Sequence, residues 1–421
     1  MLDRRKAIQN AIIGLGAISS PKDLYKLLTS DSQFRDSLES EVNNSESYWK
    51  LIKTQFKFSE GVLYFNNASL GSSPLSVINA TEEYRRTLES FPSKYMWGGW
   101  KNQIAFVKEG AADLLNADID EIALIHNTTE GMNVVASSLE LNLGDEVILG
   151  DHEHRTGTSP WLYHQEKKGI KIVRPTLPVT PNDPQEIVEV YKKAITPKTK
   201  VISMVHITNT NGMILPIKEI CSIARDRNIL SLIDGAQSLG AIDCNVREIG
   251  CDFFTASGHK WLFGPKGVGI FYAKKEQQKR LKPFIANYNY QKEDISKIDD
   301  YNTRNLPDVL GLGSAIDFHN MVGLSNMMKR TVSLRNRFLD SIQSSDQFII
   351  KTPLDPSMSH HILTVEKRGA EVNDLKDALT KQKGIDTRGM SSHSLNGVRI
   401  SFAIYHDESD IDTLIHTLKS V

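Results

Sequence analysis

Between residues 122 and 256 the chain repeats one unit, a short apolar and partly β-branched run followed by a stretch with helical spacing. Runs at 122–125, 144–149, 201–205, 229–233 and 253–256 are too short for helices and too apolar for exposed strands, so they read as buried strands. Strands that alternate with helices favour a largely parallel sheet, because each crossover brings the chain back in the same direction. The expected fold is therefore α/β, with ligands at the carboxyl ends of the strands. Residues 264–272 form a loop that returns into a further strand. Helical spacing precedes the sheet at 75–89 and 101–115, and it resumes from about 310 to 342. Strands at 361–365 and 398–402, with helices at 371–382 and 409–420, then make a smaller domain. The expected division is a helical segment at 21–60, a large domain at 61–310, and a bridging helix with a small α+β domain at 311–421.

Two residues give this frame a chemistry. Asp234 closes the run 229–233, and Lys260 follows the run 253–256 after the turn Ser257-Gly258-His259. A carboxylate at one strand end and an amine beyond the next is the pairing that pyridoxal phosphate (PLP) needs. The amine condenses with the aldehyde, and the carboxylate keeps the pyridine nitrogen protonated so that the ring draws electrons. Taken singly, each has a plainer reading, as a turn former and as a solvated charge. Asn127-Thr128-Thr129-Glu130-Gly131 opens a helix, where hydroxyls and free amides make either an anion site or a simple N-cap. His154 lies beyond a strand end, placed to stack on a flat ring or to fill the core. Asn209 is a turn residue or a polar contact. Arg399 sits within a strand, as a bidentate clamp for a carboxylate or as a surface ion pair. Tyr95-Met96-Trp97-Gly98-Gly99-Trp100 is loop-like, and is pocket wall or packing.

The segment DGAQSLGAIDCNVREIGCDFFTASGHKWLFGPKGVGIFY, residues 234–272, resembles the cofactor-lysine region of the class V aminotransferase superfamily. That superfamily includes cysteine desulfurases, selenocysteine lyases and isopenicillin N epimerases. Asp234, Gln237, Ser257, His259 and Lys260 agree with it in type and spacing. The resemblance extends over about residues 60 to 415, through T-T-E-G at 128–131, E-H-x5-P-W at 153–161 and VRISFAIYHDESDID at 398–412. It implies PLP fold type I, with a mainly parallel seven-stranded sheet flanked by helices, a small C-terminal α+β domain, PLP as cofactor, and a homodimer that shares its sites. It also implies catalytic roles for Lys260, Asp234 and His154, the histidine stacking on the ring. Asn209 and Gln237 would bond the phenolic oxygen, and Thr129, Ser257 and His259 the phosphate, with Thr128 beside them. Thr303, in Tyr301-Asn302-Thr303-Arg304-Asn305, would reach the neighbouring subunit's phosphate, although Asn302 stands where the family carries Gly. Arg399 would hold the substrate α-carboxylate, Arg388 is a second candidate, and the 64–74 segment with Asn67 would line the substrate mouth.

The reaction is narrowed by an absence. Desulfurases need a nucleophilic cysteine on the loop before the carboxylate-binding arginine, and residues 389–397 hold Ser391, Ser392 and His393 instead. With the DHEH and TRN segments, this looks closer to the isopenicillin N epimerase branch. The expected function is a PLP enzyme acting at the Cα of an amino acid, with epimerisation or racemisation first. Transamination and cysteine or selenocysteine β-elimination are alternatives, and a PLP-binding protein without catalysis is the non-enzyme one.

Composition removes other classes. Lys+Arg 50 against Asp+Glu 51 offers nothing to a nucleic acid. The three cysteines, Cys221, Cys244 and Cys251, lack metal-ligand spacing, so no metal site is expected. No stretch of eighteen apolar residues suggests a membrane span. Neither GxGxxG after an early strand nor GxxxxGK[ST] is present, against a dehydrogenase or an NTPase. Arg4-Arg5 before a short apolar run and Ser19-Ser20-Pro21 resembles a twin-arginine signal at residues 1–20, which implies periplasmic export; a packed amphipathic helix in a cytoplasmic protein is the alternative.

Overall fold

The structure, a computed structural model, describes residues 32–421. The export segment expected at residues 1–20 lies outside the described residues. Seven strands form the main sheet: β1 (Ile122–Ile125), β2 (Glu146–Leu149), β3 (Lys171–Val173), β4 (Thr199–Val205), β5 (Leu230–Asp234), β6 (Phe253–Ser257) and β7 (Gly269–Ala273). Their order is β1-β7-β6-β5-β4-β2-β3. Only β7 runs antiparallel to its neighbours, while β6-β5-β4-β2-β3 are parallel throughout. This is the seven-stranded, mainly parallel sheet expected.

The strands are apolar on both faces because both faces are covered. Ile122, Leu124, Ile148, Ile202, Met204, Ile233 and Phe254 join one core cluster. Ala123, Ile125, Val147, Leu149, Val201, Leu232 and Phe253 join another on the opposite face, as the two-residue alternation of side chains requires. Each buried Val, Leu, Ile, Met or Phe side chain among them is worth about 1.5–3 kcal/mol relative to exposure. The chain moves outward from β2 to β3, then reverses and steps from β4 through β5 to β6. That reversal opens a crevice at the carboxyl ends of the strands.

Helices α1 (Leu75–Ser90), α2 (Lys101–Leu115), α3 (Thr128–Ser138) and α4 (Arg155–Lys168) belong to this lobe. The helical pattern expected from 310 to 342 is two helices, α5 (Leu306–Val322) and α6 (Leu324–Ile342), divided at Gly323. Of these, α5 starts earlier than expected, with Asn305 capping it through a bond from the Asp308 N–H. Leu310, Leu312 and Ile316 of α5 lie in the main core, so the helix is part of the large lobe and the crossing to the small lobe falls at α6. The small lobe holds β8 (Phe348–Ile350), β9 (Ile362–Lys367), β10 (Arg388–Met390) and β11 (Gly397–Ser401) in the antiparallel order β10-β11-β9-β8, with α7 (Val372–Lys383) and α8 (Glu408–Ser420).

The segment before the large lobe is helical at Ser32–Glu39 and Glu46–Thr54. Phe34 and Phe56 pack on Phe318 of α5, and Phe56 also meets Tyr405, so this segment seals the seam between the lobes. The aromatic stretch 95–100 is a kinked single turn. Trp100 is core, tilted against Tyr95 at 5.0 Å, and Trp97 is 59% exposed.

Candidate active site

One cavity, of about 230 Å³, sits at the carboxyl ends of β4, β5 and β6. Lys260 enters it from the turn after β6, and its backbone is held from two sides. Gly71 N–H donates to the His259 carbonyl at 2.8 Å, and Asn67 Nδ2 donates to the Lys260 carbonyl at 3.4 Å. A Cβ on Gly71 would lie 2.2 Å from that same carbonyl, so only glycine permits the approach. Burial pulls the Lys260 ammonium down to about 8, with Arg399 adding to the effect and Asp234 opposing it. At pH 7 about a tenth of such an amine is unprotonated, against a negligible fraction of an ordinary lysine.

Asp234 ends β5 nearly fully buried. Its Oδ1 accepts the Ala236 N–H at 2.9 Å. Burial raises its pKa, against the pull of that N–H and of the Lys260 and His154 charges. A second carboxyl, Glu153, is buried nearby and accepts the Val205 N–H at 3.0 Å. Burial pushes the Glu153 carboxyl well above the usual range, with the Asp234 charge adding to the effect and the Val205 N–H opposing it.

An anion cradle lies beyond them. The Thr128 N–H donates to Ser257 Oγ at 3.0 Å, and the two hydroxyls are 2.9 Å apart. Asn127 caps α3 by accepting the Glu130 N–H at 3.1 Å. A Cβ on Gly131 would lie 2.1 Å from Thr255 Oγ1, which lets α3 present its positive end at the mouth of β6. His259 faces the same cavity with its Nδ1 buried and unpartnered, and burial lowers it to about 4. Asn209 Oδ1 is likewise buried without a partner. Two orphaned polar groups in one cavity are the mark of a site built for a polar ligand.

His154 caps α4, and its Nδ1 accepts the Thr156 N–H at 3.3 Å and meets Thr156 Oγ1 at 2.8 Å. Accepting a backbone N–H puts the ring proton on Nε2. Burial lowers its pKa, reinforced by Lys260, so it is a neutral ring at pH 7. Gln237 is fixed end to end. Trp261 Nε1, a donor only, gives its proton to Gln237 Oε1 at 2.8 Å, so Nε2 must face the Ala68 carbonyl, also at 2.8 Å. One Nε2 proton is left for the cavity.

From the small lobe, Arg399 on β11 reaches in. Its Nη1 donates to the Asn209 carbonyl at 2.7 Å, and its Nη2 to Ser69 Oγ at 2.6 Å and Asn66 Oδ1 at 3.1 Å. Its Nε has no partner, and burial with the nearby Arg388 lowers its pKa to about 9.

The structure thus brings Thr128, Thr129, His154, Asn209, Asp234, Gln237, Ser257, His259 and Lys260 around one cavity, with Arg399 behind two of its lining residues, Asn209 and Ser69. One expectation needs correction. Asn67 does not face the cavity: it is fully buried, bonded to the Lys260 carbonyl and the Tyr405 hydroxyl, and so supports the lysine from behind. Thr303, expected at a neighbouring subunit's phosphate, is exposed and lies outside this subunit's own cavity. Arg388, the second candidate for a substrate carboxylate, is exposed beside Arg399, outside the residues that line the cavity. Asn302 adopts φ 57°, the left-handed region glycine favours and asparagine tolerates, so its place in a glycine position is met by conformation. Asn66 and Ser69 belong to the 64–74 segment expected at the substrate mouth, without having been singled out there; Thr156 is an addition from the structure.

The chain matches the family model "Aminotransferase class-V" over residues 63–414. It therefore belongs to the class V aminotransferase family, and it is a PLP-dependent enzyme. It is 28% identical to a probable cysteine desulfurase of Methanothermobacter thermautotrophicus, covering 85% of this chain and 94% of that one. It is 26% identical to the isopenicillin N epimerase of Streptomyces clavuligerus, covering 89% and 98%. Among solved structures, the cysteine desulfurase CsdA of Escherichia coli matches with a TM-score of 0.76 at 23% identity, over 88% of this chain and 97% of that one. A C-DES variant with glycine linked to its PLP cofactor matches with a TM-score of 0.77 at 20% identity, over 86% and 98%.

Proposed function

We propose that this enzyme moves a proton at the Cα of an amino-acid substrate, with epimerisation or racemisation as the reaction. The observation that carries the reading is a single buried amine, Lys260, beside one buried carboxylate, Asp234, in a cavity without a cysteine. The small-lobe loop 391–396 holds Ser391, Ser392 and His393 where a desulfurase needs its thiol nucleophile. The three cysteines are buried, and burial raises all of their pKa values, Cys221 and Cys244 to about 12. They are thiols, not thiolates.

The residues present fit PLP. The orphaned His259 Nδ1 and the start of α3 at Thr128 and Thr129 suit a phosphate, and His154 is a neutral ring able to stack. The Asn209 amide, through its donating Nδ2 end, and the remaining Gln237 proton suit a ring oxygen, and Asp234 a ring nitrogen. The cofactor supplies an electron sink that lowers the cost of a carbanion at Cα. Lys260 is the base that takes the Cα proton and the acid that returns it, which its depressed pKa favours. Arg399 holds the substrate carboxylate, charge-assisted and already aligned by three bonds. The working unit is a homodimer with Thr303 at the neighbour's phosphate, and the chain is exported folded by its twin arginines.

Incubating the enzyme with an amino-acid panel in deuterated water tests the reading. Exchange at Cα with loss of stereochemistry and no other product supports it. Keto acid would assign transamination, pyruvate or sulfide would assign β-elimination, and no exchange with any amino acid would end it.

A further inference from the structure

The two arginines of the small lobe stand in an arrangement that proteins usually avoid. Arg388 on β10 is the direct register partner of Arg399 on β11. Cross-strand partners project from the same sheet face with Cβ atoms about 4.5–5.5 Å apart, and like charges so placed repel. Among the described residues no Asp or Glu forms a salt bridge with either one. Asp386, two residues before Arg388, accepts Asn66 Nδ2 at 3.3 Å, and its charge acts on Arg399 from a distance without pairing with it. Arg388 lies close enough to the cavity to disfavour protonation of both His154 and Arg399. Three of the five N–H donors of Arg399 are bonded to Asn209, Asn66 and Ser69, and its Nε has no partner. The guanidinium of Arg388 is exposed, with no bond to those partners.

We infer that Arg388 receives a second carboxylate, and that the substrate is an aminodicarboxylic acid of the aspartate or glutamate class. The inference rests on the proposed amino-acid reading and adds the side chain to it. Arg399 takes the α-carboxylate at the inner wall, and the side-chain carboxylate extends outward along the same sheet face to Arg388. Two anionic groups, one for each guanidinium, turn the repulsion between the arginines into binding energy. A single carboxylate shared by both would leave the exposed guanidinium without a distinct task. On the loop that follows β10, the His393 ring packs on the buried His152 at 4.8 Å, which fixes the loop between β10 and β11.

Calorimetric titration of the full-length, cofactor-loaded protein tests this with L-glutamate and L-aspartate against L-norvaline and L-alanine. Glutarate against valerate serves as an amine-free pair. The dicarboxylic member of each pair should bind at least about tenfold tighter, a gap that R388Q closes and R388K partly restores. Arg388 is exposed, so these variants should fold, and circular dichroism checks that they do. Equal weakening of both members by R388Q would mean that the two arginines share one carboxylate, and it would overturn the inference. So would an absence of preference in the unaltered protein. The borohydride-sensitive visible absorbance of the same samples reports Lys260 separately. Its loss would count against the PLP roles assigned to these residues, while the glutarate ratio would still report on Arg388.

Discussion

The two sides of the cavity are built by different means. The large-lobe side comes from strand ends, where Asp234, Ser257 and the turn to Lys260 hang from β5 and β6, each buried on both faces. Its positions follow from sheet register and have little room to vary. The small-lobe side comes from one strand pair and a loop, with Arg399 inside, Arg388 outside, and residues 391–396 joining β10 to β11. The first side carries groups suited to a cofactor, and the second carries groups suited to a substrate. An enzyme divided in this way can keep its bond chemistry while its substrate changes, because the loop and the outer arginine can change without disturbing the main core.

The largest effects should come from the large-lobe side. Lys260→Ala should lower Cα exchange by about 10³–10⁴-fold, since it removes both the covalent anchor and the proton carrier. The same variant should lose the visible absorbance that borohydride bleaches. Retained exchange would move the base to another residue. On the small-lobe side, Arg399→Gln should raise KM for an amino acid by about 10²-fold while leaving that absorbance in place. If the absorbance disappears as well, the two sides are not separable and the comparison breaks.

A pH experiment sharpens the contrast further. In cofactor-free protein, Lys260 has a pKa of about 8 when folded against an ordinary value of 10.5. Between those values the unfolded chain binds more protons, so stability rises with pH through that window. Below about pH 8 both states are protonated, and the full cost of burying the ammonium is present. Lys260→Met should therefore stabilise the cofactor-free protein at pH 7 by on the order of 1–3 kcal/mol, with the gain shrinking towards pH 10. Urea denaturation at pH 7, 8.5 and 10 measures it. A gain that does not depend on pH would show that packing, not charge, is responsible.

The large-lobe side was legible in the sequence because its signals are local. Five apolar runs announced five of the buried strands, and Asp234 and Lys260 stand at the ends of two of them. The small-lobe side was legible only in part. Arg399 was visible through its strand, but its partners Asn66 and Ser69 lie 333 and 330 residues away along the chain. Which of the polar residues on the turn 66–69 turns inward is decided by packing, so the pattern alone points Asn67 to the mouth when it holds the lysine's backbone. The break between α5 and α6 was missed because helical spacing continues across Gly323. For Thr303, the expected contact belongs to a second copy of the chain, which no pattern within one copy can report.

The smallest predicted effect falls on the loop itself. His393 and Ser394 are consecutive residues at φ 59° and 58°, a left-handed pair with no glycine to relieve it. Such a residue costs about 1–2 kcal/mol, and the His393 ring recovers part of its share by packing on His152. Ser394 is exposed and has no ring to do the same. Ser394→Gly should therefore stabilise the protein by about 0.5–1 kcal/mol, the relieved strain less the added freedom of the unfolded chain. A shift in the urea midpoint measures it. No strain of this kind is found between Asp234 and Lys260 at any residue that lines the cavity, since the one non-glycine positive φ nearby, Phe263, lies beyond the lysine. Stabilisation by S394G would place the strained backbone on the substrate side alone. A loss of stability would mean that Ser394 makes contacts worth more than its strain, and that the loop is as tightly specified as the strand ends it faces.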